Sequence, residues 1–314
     1  MTGEPATGNP VTGDPANGTP ANGEPRPSLA ADPLVSAEWL ALREAADAAA
    51  RAPDLVQRLR QQLADLPRTV IHDLGSGTGS MGRWLGPRLP GPQHWVMYDR
   101  DVTLLAHAAN PAPPRPLPGK STARTRKLPA QRSPVTVEAR AADITRLTAD
   151  DLAGASLITA SALLDMLTAE EVDRVVAACA GAACPTLMTL SVVGRVELTP
   201  PDPLDADLAA AFNAHQRRTV DGRNLLGPDA VEATVEAFGR RGVSTLVRPS
   251  PWRLGADQAG LAVEWLRGWV AAAGEQRPEL AGPSTGYLSR RLADAAAGRL
   301  GVVVGHADLL AGGE

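Results

Sequence analysis

Three features of the 314-residue chain predict an α/β fold built on a doubly wound, largely parallel sheet. The apolar stretch Thr69-Val-Ile-His-Asp-Leu74 runs directly into the glycine turn Gly75-Ser-Gly-Thr-Gly79 and then into a helical pattern. That strand–turn–helix order is how open α/β sheets receive nucleotide-like ligands. Short β-branched runs then alternate with helix-length segments, as βαβ crossovers require. Finally, Thr186-Leu-Met-Thr-Leu-Ser-Val-Val193 is apolar almost throughout, which is how a strand buried on both faces reads.

Composition narrows the class. A hydrophobic content of 44% over this length supports one large core or two modest ones. A formal net charge of -4 argues against a protein built to coat nucleic acid. Cys179 and Cys184 are the only cysteines, too few for a disulfide framework or a four-ligand zinc site, and they read as free thiols. No apolar run reaches the roughly 18 residues that span a bilayer, and the N-terminus lacks a basic-then-apolar leader pattern. The expectation is a cytoplasmic enzyme with no membrane segment and no metal.

Residues 1–31 carry the five-residue repeat TGEPA, TGNPV, TGDPA, NGTPA, NGEPR, a Gly/Pro-rich tail that cannot bury a core and is expected to be disordered. A single domain is expected over residues 32–314. Ser36 is placed to cap a helix carrying Trp39, Leu40, Leu42 and Ala45, and Leu55, Val56, Leu59 and Leu63 mark a second, so that residues 35–66 form N-terminal helices. The first crossover helix is expected over 80–89. The second strand is His94-Trp-Val-Met-Tyr98 and the third is Val135-Thr-Val-Glu-Ala-Arg140. Between them, residues 112–132 are Pro-rich and basic, without aromatic residues, so the loop lacks the stacking platforms of a single-strand binder. Ser156-Leu-Ile-Thr-Ala-Ser161 is the fourth strand and residues 168–181 a helix. Helices are expected through Leu208 and Phe212 and over 229–241, followed by a strand at 243–248. Helices at 257–273 and 284–298 precede Gly301-Val-Val-Val-Gly-His306, the last strand.

The glycines at 75, 77 and 79 allow backbone angles closed to other residues and let N–H groups approach a ligand, and the following helix adds a positive dipole end. The spacing Gly77-x-Gly79-x-x-Gly82 also satisfies the dinucleotide fingerprint, which keeps a nicotinamide-dependent oxidoreductase open. Asp73, two residues before the first glycine, would repel a pyrophosphate but accept from the ammonium of an amino-acid moiety. The run Asp-Leu-Gly-Ser-Gly-Thr-Gly closely resembles the first motif of class I S-adenosylmethionine-dependent methyltransferases. The resemblance carries recognisable motifs over residues 69–198 and topology alone to about 310.

That resemblance implies a Rossmann-like, doubly wound seven-stranded sheet whose last strand is antiparallel, with a helical insertion before it, and S-adenosyl-L-methionine as cofactor. It implies cofactor contacts from Asp73, Gly75, Ser76, Gly77, Thr78 and Gly79. Asp99, closing the second strand, takes the ribose hydroxyls, with Asp101 a competing acid better suited to capping the next helix. Arg100 departs from the apolar residue expected there and either stacks on adenine or faces water. Asp143 and Ile144 match the acid and apolar pair that meets adenine, and Ser161 begins the segment bordering the methyl donor. Ala155-Ser156 replaces the acid that commonly opens the fourth strand. N-terminal helices often form a lid in this family, which makes Trp39 a site candidate beside its packing role.

The substrate side, residues 199–312, is expected to set specificity. A small-molecule acceptor, a carboxylate or a secondary metabolite, is implied by the resemblance. His215 is the candidate base, since imidazole titrates near neutrality. Arg217 or Arg218 would orient a carboxylate through paired hydrogen bonds. His72 and His94 read as structural. Trp252, Trp265 and Trp269 either line a hydrophobic cap or fasten its helices to the sheet. An RNA or protein methyltransferase using the basic loop is the alternative.

Overall fold

The computed structural model describes residues 36–109 and 134–312. The repeat tail and the basic loop 112–132 lie outside the described residues. The elements run α1 Ala37–Ala50, α2 Pro53–Gln62, β1 Thr69–Leu74, α3 Ser80–Leu85, β2 Gln93–Asp99, α4 Val102–Ala109, β3 Val135–Ala141, β4 Leu157–Ser161, α5 Ala169–Gly181 and β5 Thr186–Thr199. They continue with α6 Asp205–Gln216, the short hairpin β6 Thr219–Val220 and β7 Arg223–Asn224, α7 Ala230–Gly239, β8 Thr245–Pro249, β9 Trp252–Leu254, α8 Ala259–Gln276, α9 Ala281–Ala296 and β10 Gly301–Ala311.

The main sheet has the order β3-β2-β1-β4-β5-β10-β8, with β9 added on β10. β1 through β5 pair in parallel, and β10 is antiparallel to both β5 and β8. This is the expected seven-stranded, doubly wound arrangement with its last strand inserted antiparallel and α8 and α9 inserted before it. The order reverses between β1 and β4, so the crevice for a ligand opens at the carboxyl ends of those strands.

Local chemistry explains the boundaries. The Ser36 side chain accepts from the Trp39 N–H at 3.1 Å and starts α1, and Pro53 opens α2, where its missing N–H costs nothing. Thr168 and Glu171 form a reciprocal capping box on α5. α3 ends at Leu85 and tightens into a 3-10 turn over Gly86–Arg88. It is shorter than the expected 80–89 because Pro87 can neither donate the next helical bond nor fit beneath the preceding carbonyl.

Two faces of the sheet are filled. Leu55 and Leu59 of α2 and Trp84 of α3 pack on Ile71, Leu157, Leu187 and Leu310. On the opposite face Val172 and Val176 of α5 and Phe238 of α7 pack on Ile158, Met188 and Leu309. A third cluster joins Trp252, Leu266, Trp269 and Tyr287 around the upper parts of β5 and β10.

Those upper parts are longer than the apolar pattern implied. β5 continues to Thr199 and pairs with Gly301–Val304, so β5 and β10 rise past the carboxyl ends of the parallel strands. The pairing shifts register beside Asp308, and Leu190 across from it adopts a left-handed φ of 58°. Asp308 stabilises this bulge by accepting from the Leu190 N–H at 2.8 Å and from the Ala52 N–H at 2.7 Å.

Candidate active site

The glycine turn is held open by its neighbours. Gly77 has φ +52°, and a Cβ there would lie 3.1 Å from the Leu40 side chain of α1. A Cβ on Gly79, at φ +80°, would meet Ala108 of α4 at 3.2 Å. Residues with side chains are therefore excluded twice, by backbone angle and by space. The Ser76 N–H donates to the Tyr98 carbonyl at 2.8 Å, and the Gly77 N–H donates to Asp99 Oδ2 at 2.8 Å. Asp99 Oδ1 accepts from the Asp101 N–H at 2.9 Å. Asp99 thus joins the glycine turn to the end of β2 with lone pairs to spare on both oxygens.

The competing acid has the structural role. Asp101 accepts from the N–H groups of Thr103 and Leu104 at 2.8 and 3.3 Å and caps α4. Arg100 acts electrostatically on both Asp101 and Asp143, which brings it near the adenine-side candidates. Asp143 accepts from the Thr145 N–H at 3.0 Å and its hydroxyl at 2.7 Å, leading a 3-10 turn in which Ile144 is buried. His72 lies 3.2 Å from the Tyr98 hydroxyl and His94 2.8 Å from that of Thr136.

Beneath the turn lies a buried polar network. Asp73 is 1% exposed; Oδ1 accepts from the Thr159 hydroxyl at 2.6 Å, and Oδ2 has no partner among the described residues. Burial pushes this carboxyl up to about 7 against the pull of Thr159 and Arg51, with the Asp99 charge adding to the rise. Arg51, which directly follows α1, is 3% exposed. Its Nη2 donates to Ser161 Oγ at 3.1 Å and its Nε to Thr189 Oγ1 at 3.4 Å, while Nη1 has no partner among the described residues. The guanidinium stacks 4.9 Å over Trp84. An unpartnered carboxylate oxygen and an unpartnered guanidinium nitrogen are thus buried in one network. Nothing in the sequence pattern marks Arg51, which sits between two helices outside any periodicity.

On the substrate side, α1 presents Trp39, Arg43 and Asp47 at helical spacing. Asp47 accepts from Arg43 Nε at 3.0 Å and from Trp252 Nε1 at 2.9 Å. Trp252 lies between Trp39, at 6.5 Å, and His306 of β10, at 5.2 Å between centroids. His306 is 5% exposed, its Nδ1 unpartnered among the described residues, and burial pushes it down to about 3, aided by Arg43. Asp165, in the 3-10 turn after β4, is half-buried, and desolvation raises it against the opposing charges of Arg43 and Arg218.

His215 and Arg217 have protein partners. His215 Nε2 is 3.1 Å from Glu275 of α8, and burial and Arg218 lower its pKa. Arg217 makes a two-point ion pair with Asp229 at 2.5 and 2.6 Å. Trp269 is buried against Tyr287 of α9 at 6.4 Å and fastens the inserted helices together, and Trp265 stacks on it from the same helix at 5.3 Å. Among the described residues there is no group of three metal-ligating side chains and no helix long and apolar enough to cross a membrane. Both cysteines are free, and burial pushes the Cys179 thiol up to about 12.

The strand order and the antiparallel insertion of β10 define a class I methyltransferase fold. No protein-family model and no curated protein matches the chain. Among solved structures it is similar to the cyclopropane synthase MmaA2 from Mycobacterium tuberculosis, at 13% identity and TM-score 0.41, covering 82% of this chain and 83% of that one. It is also similar to a SAM-dependent methyltransferase from Thiobacillus denitrificans in complex with S-adenosyl-L-homocysteine, at 14% identity, TM-score 0.38, and 87% and 98% coverage. A third is an S-adenosylmethionine-dependent methyltransferase from Mesorhizobium loti, at 18% identity, TM-score 0.36, and 80% and 96% coverage.

Proposed function

We propose that the chain is an S-adenosyl-L-methionine-dependent methyltransferase acting on a small-molecule acceptor. The observation that carries this reading is the pair of acids at the switch point: Asp73 with a free, buried carboxylate oxygen under the glycine turn, and Asp99 bonded into that turn at the end of the next strand. A pyrophosphate over the glycine turn would meet the Asp73 carboxylate. An amino-acid group linked to a ribose meets two acceptors for its donors.

Bound at this site, the cofactor supplies an electrophilic sulfonium methyl. The remaining work belongs to the chain. Asp73 accepts from the ammonium and Arg51 Nη1 donates to the carboxylate of the amino-acid end. Asp99 accepts from the ribose hydroxyls, the 75–79 turn borders the ligand, and Asp143 and Ile144 with Arg100 border adenine. Ser161, already bonded to Arg51 and Thr189, fixes the edge next to the methyl group. α1 covers the turn and excludes water, so positioning supplies much of the rate.

Calorimetric titration with S-adenosylmethionine, S-adenosylhomocysteine, NAD and NADP tests the reading. Both sulfur compounds are expected to bind, with affinity falling at least tenfold in Asp99→Ala. Binding of NAD or NADP without either sulfur compound would overturn it in favour of the dinucleotide fingerprint.

A further inference from the structure

Arg43 is held from one side only. Its Nε is fixed by Asp47 at 3.2 and 3.0 Å and its guanidinium lies 4.9 Å over the Trp252 ring. Its two terminal nitrogens make no hydrogen bond among the described residues, although the side chain is only 13% exposed. A guanidinium clamped at Nε and stacked on an indole presents its outer edge as a rigid two-point donor, the geometry that matches a carboxylate.

Asp165 supplies the opposite charge. It follows β4 at the carboxyl end of the sheet, in the turn Leu164–Met166. Arg223 locks this turn by donating to the Met166 carbonyl at 2.9 Å while paired with Glu171. The neighbouring Leu163 side chain would lie 3.1 Å from a Cβ on Gly75, so this segment abuts the glycine turn. Among the described residues Asp165 makes no ion pair and no hydrogen bond to another side chain. The charged groups acting on it are Arg43 from α1 and Arg218 from the end of α6, and Arg43 also acts on His306. Leu40 of α1 against Gly77 and Leu163 against Gly75 bring the helix that carries Arg43 and the turn that carries Asp165 onto the same glycine turn, and the two charges do not pair with each other.

Arg43, ion-paired with Asp47 through Nε but with its outer nitrogens open, and Asp165, without a side-chain partner among the described residues, together fit a ligand carrying both complements. We propose that the methyl acceptor is an amino-carboxylate, its carboxylate held by the outer nitrogens of Arg43 and its amine directed at Asp165. The proposal rests on the methyltransferase reading and names its substrate class.

The chemistry balances. The acceptor's ammonium passes one proton to the Asp165 carboxylate, which leaves a nitrogen lone pair. That pair forms the new N–C bond to the methyl carbon as the C–S bond breaks and its electrons return to sulfur, giving a neutral thioether and an N-methylammonium product. Asp165 then loses its proton to solvent. The half-buried Trp39, packed on Trp252, is the aromatic group beside the carboxylate anchor, which suits acceptors with an apolar body.

The test is methyl transfer from tritiated S-adenosylmethionine to a panel of the twenty amino acids, β-alanine, γ-aminobutyrate and anthranilate. Each is paired with its methyl ester and its N-acetyl derivative. Transfer to at least one free amino-carboxylate is expected, lost or reduced at least a hundredfold for its ester and its N-acetyl form. Arg43→Lys should raise KM at least tenfold with kcat little changed. Asp165→Asn should lower kcat at least a hundredfold and remove the acidic limb of the kcat profile. Both variants should bind S-adenosylhomocysteine as the wild type does, which verifies their fold. Equal transfer to the esters, or transfer to no panel member by a protein that binds the cofactor, overturns the proposal while leaving the methyltransferase reading in place. Failure to bind the cofactor at all overturns that reading as well.

Discussion

Asp73 and His306 are buried ionisable groups whose effects on stability run in opposite directions. For Asp73 the folded state raises an acid from 3.8 to about 7, so its contribution is fully present below pH 4 and is lost as pH rises through 7. For His306 the folded state lowers a base from 6.5 to about 3, so its contribution is present above pH 6.5 and is lost as pH falls toward 3. The two slopes overlap between pH 4 and 6.5 and offset each other. Thermal melts across that range should therefore show opposite tilts in two variants: Asp73→Asn melting progressively lower toward acid pH, and His306→Gln progressively lower toward neutral. The change across the window is on the order of 5 °C. Parallel profiles for wild type and both variants would rule out these shifts. Cofactor binding at pH 6 should also release a proton from Asp73, visible as a dependence of the calorimetric heat on buffer ionisation enthalpy.

At the scale of elements, the legible parts were those with a period or a steric rule. The strands ending at Leu74 and Asp99 and the buried run of β5 announce themselves by apolar content, and the glycine turn by backbone angles no other residue takes. Ser36, Pro53 and Thr168 mark helix starts by chemistry local to one turn. Thr168→Ala should remove the α5 cap at about 1 kcal/mol, read as a lower urea midpoint with unchanged slope. S-adenosylhomocysteine affinity should not change, because α5 packs on the sheet face away from α1. The rise of β5 and β10 above the sheet was not legible, because Gly194, Arg195 and Glu197 interrupt the apolar run and the partner strand lies a hundred residues away in sequence. The Asp308 bulge was hidden for the same reason: only the folded pairing sets Leu190 opposite it.

For the whole molecule, the same division separates the cofactor side from the acceptor side. Asp73, Asp99 and the 75–79 turn are close in sequence and follow one after another along consecutive strands, so their association can be read from a single stretch. Arg43 and Arg51 of α1 and its end, Asp165 and His306 come from three separate segments, and each is unremarkable in its own neighbourhood. Asp165 lies within the segment after β4 that begins at Ser161, but only the fold brings that segment and α1 to the same glycine turn. His215 and Arg217 drew attention because polar residues cluster there, and the folded chain gives both a protein partner.

One helix touches both sides. Leu40 of α1 rests on Gly77, Arg43 faces the acceptor region, and Arg51 enters the buried network at the helix's end. A helix that covers the cofactor crevice and also contributes the acceptor's anchor predicts a sequence of events: an acceptor seated against Arg43 would close the way to the crevice beneath α1. Steady-state kinetics should then be ordered, with cofactor binding first and its demethylated product leaving last. S-adenosylhomocysteine would be a competitive inhibitor against S-adenosylmethionine and noncompetitive against the acceptor. Random-order patterns would mean that α1 carries its two contacts independently. On the ordered scheme turnover is timed by the opening of α1, and the enzyme idles charged with its methyl donor, waiting for an acceptor.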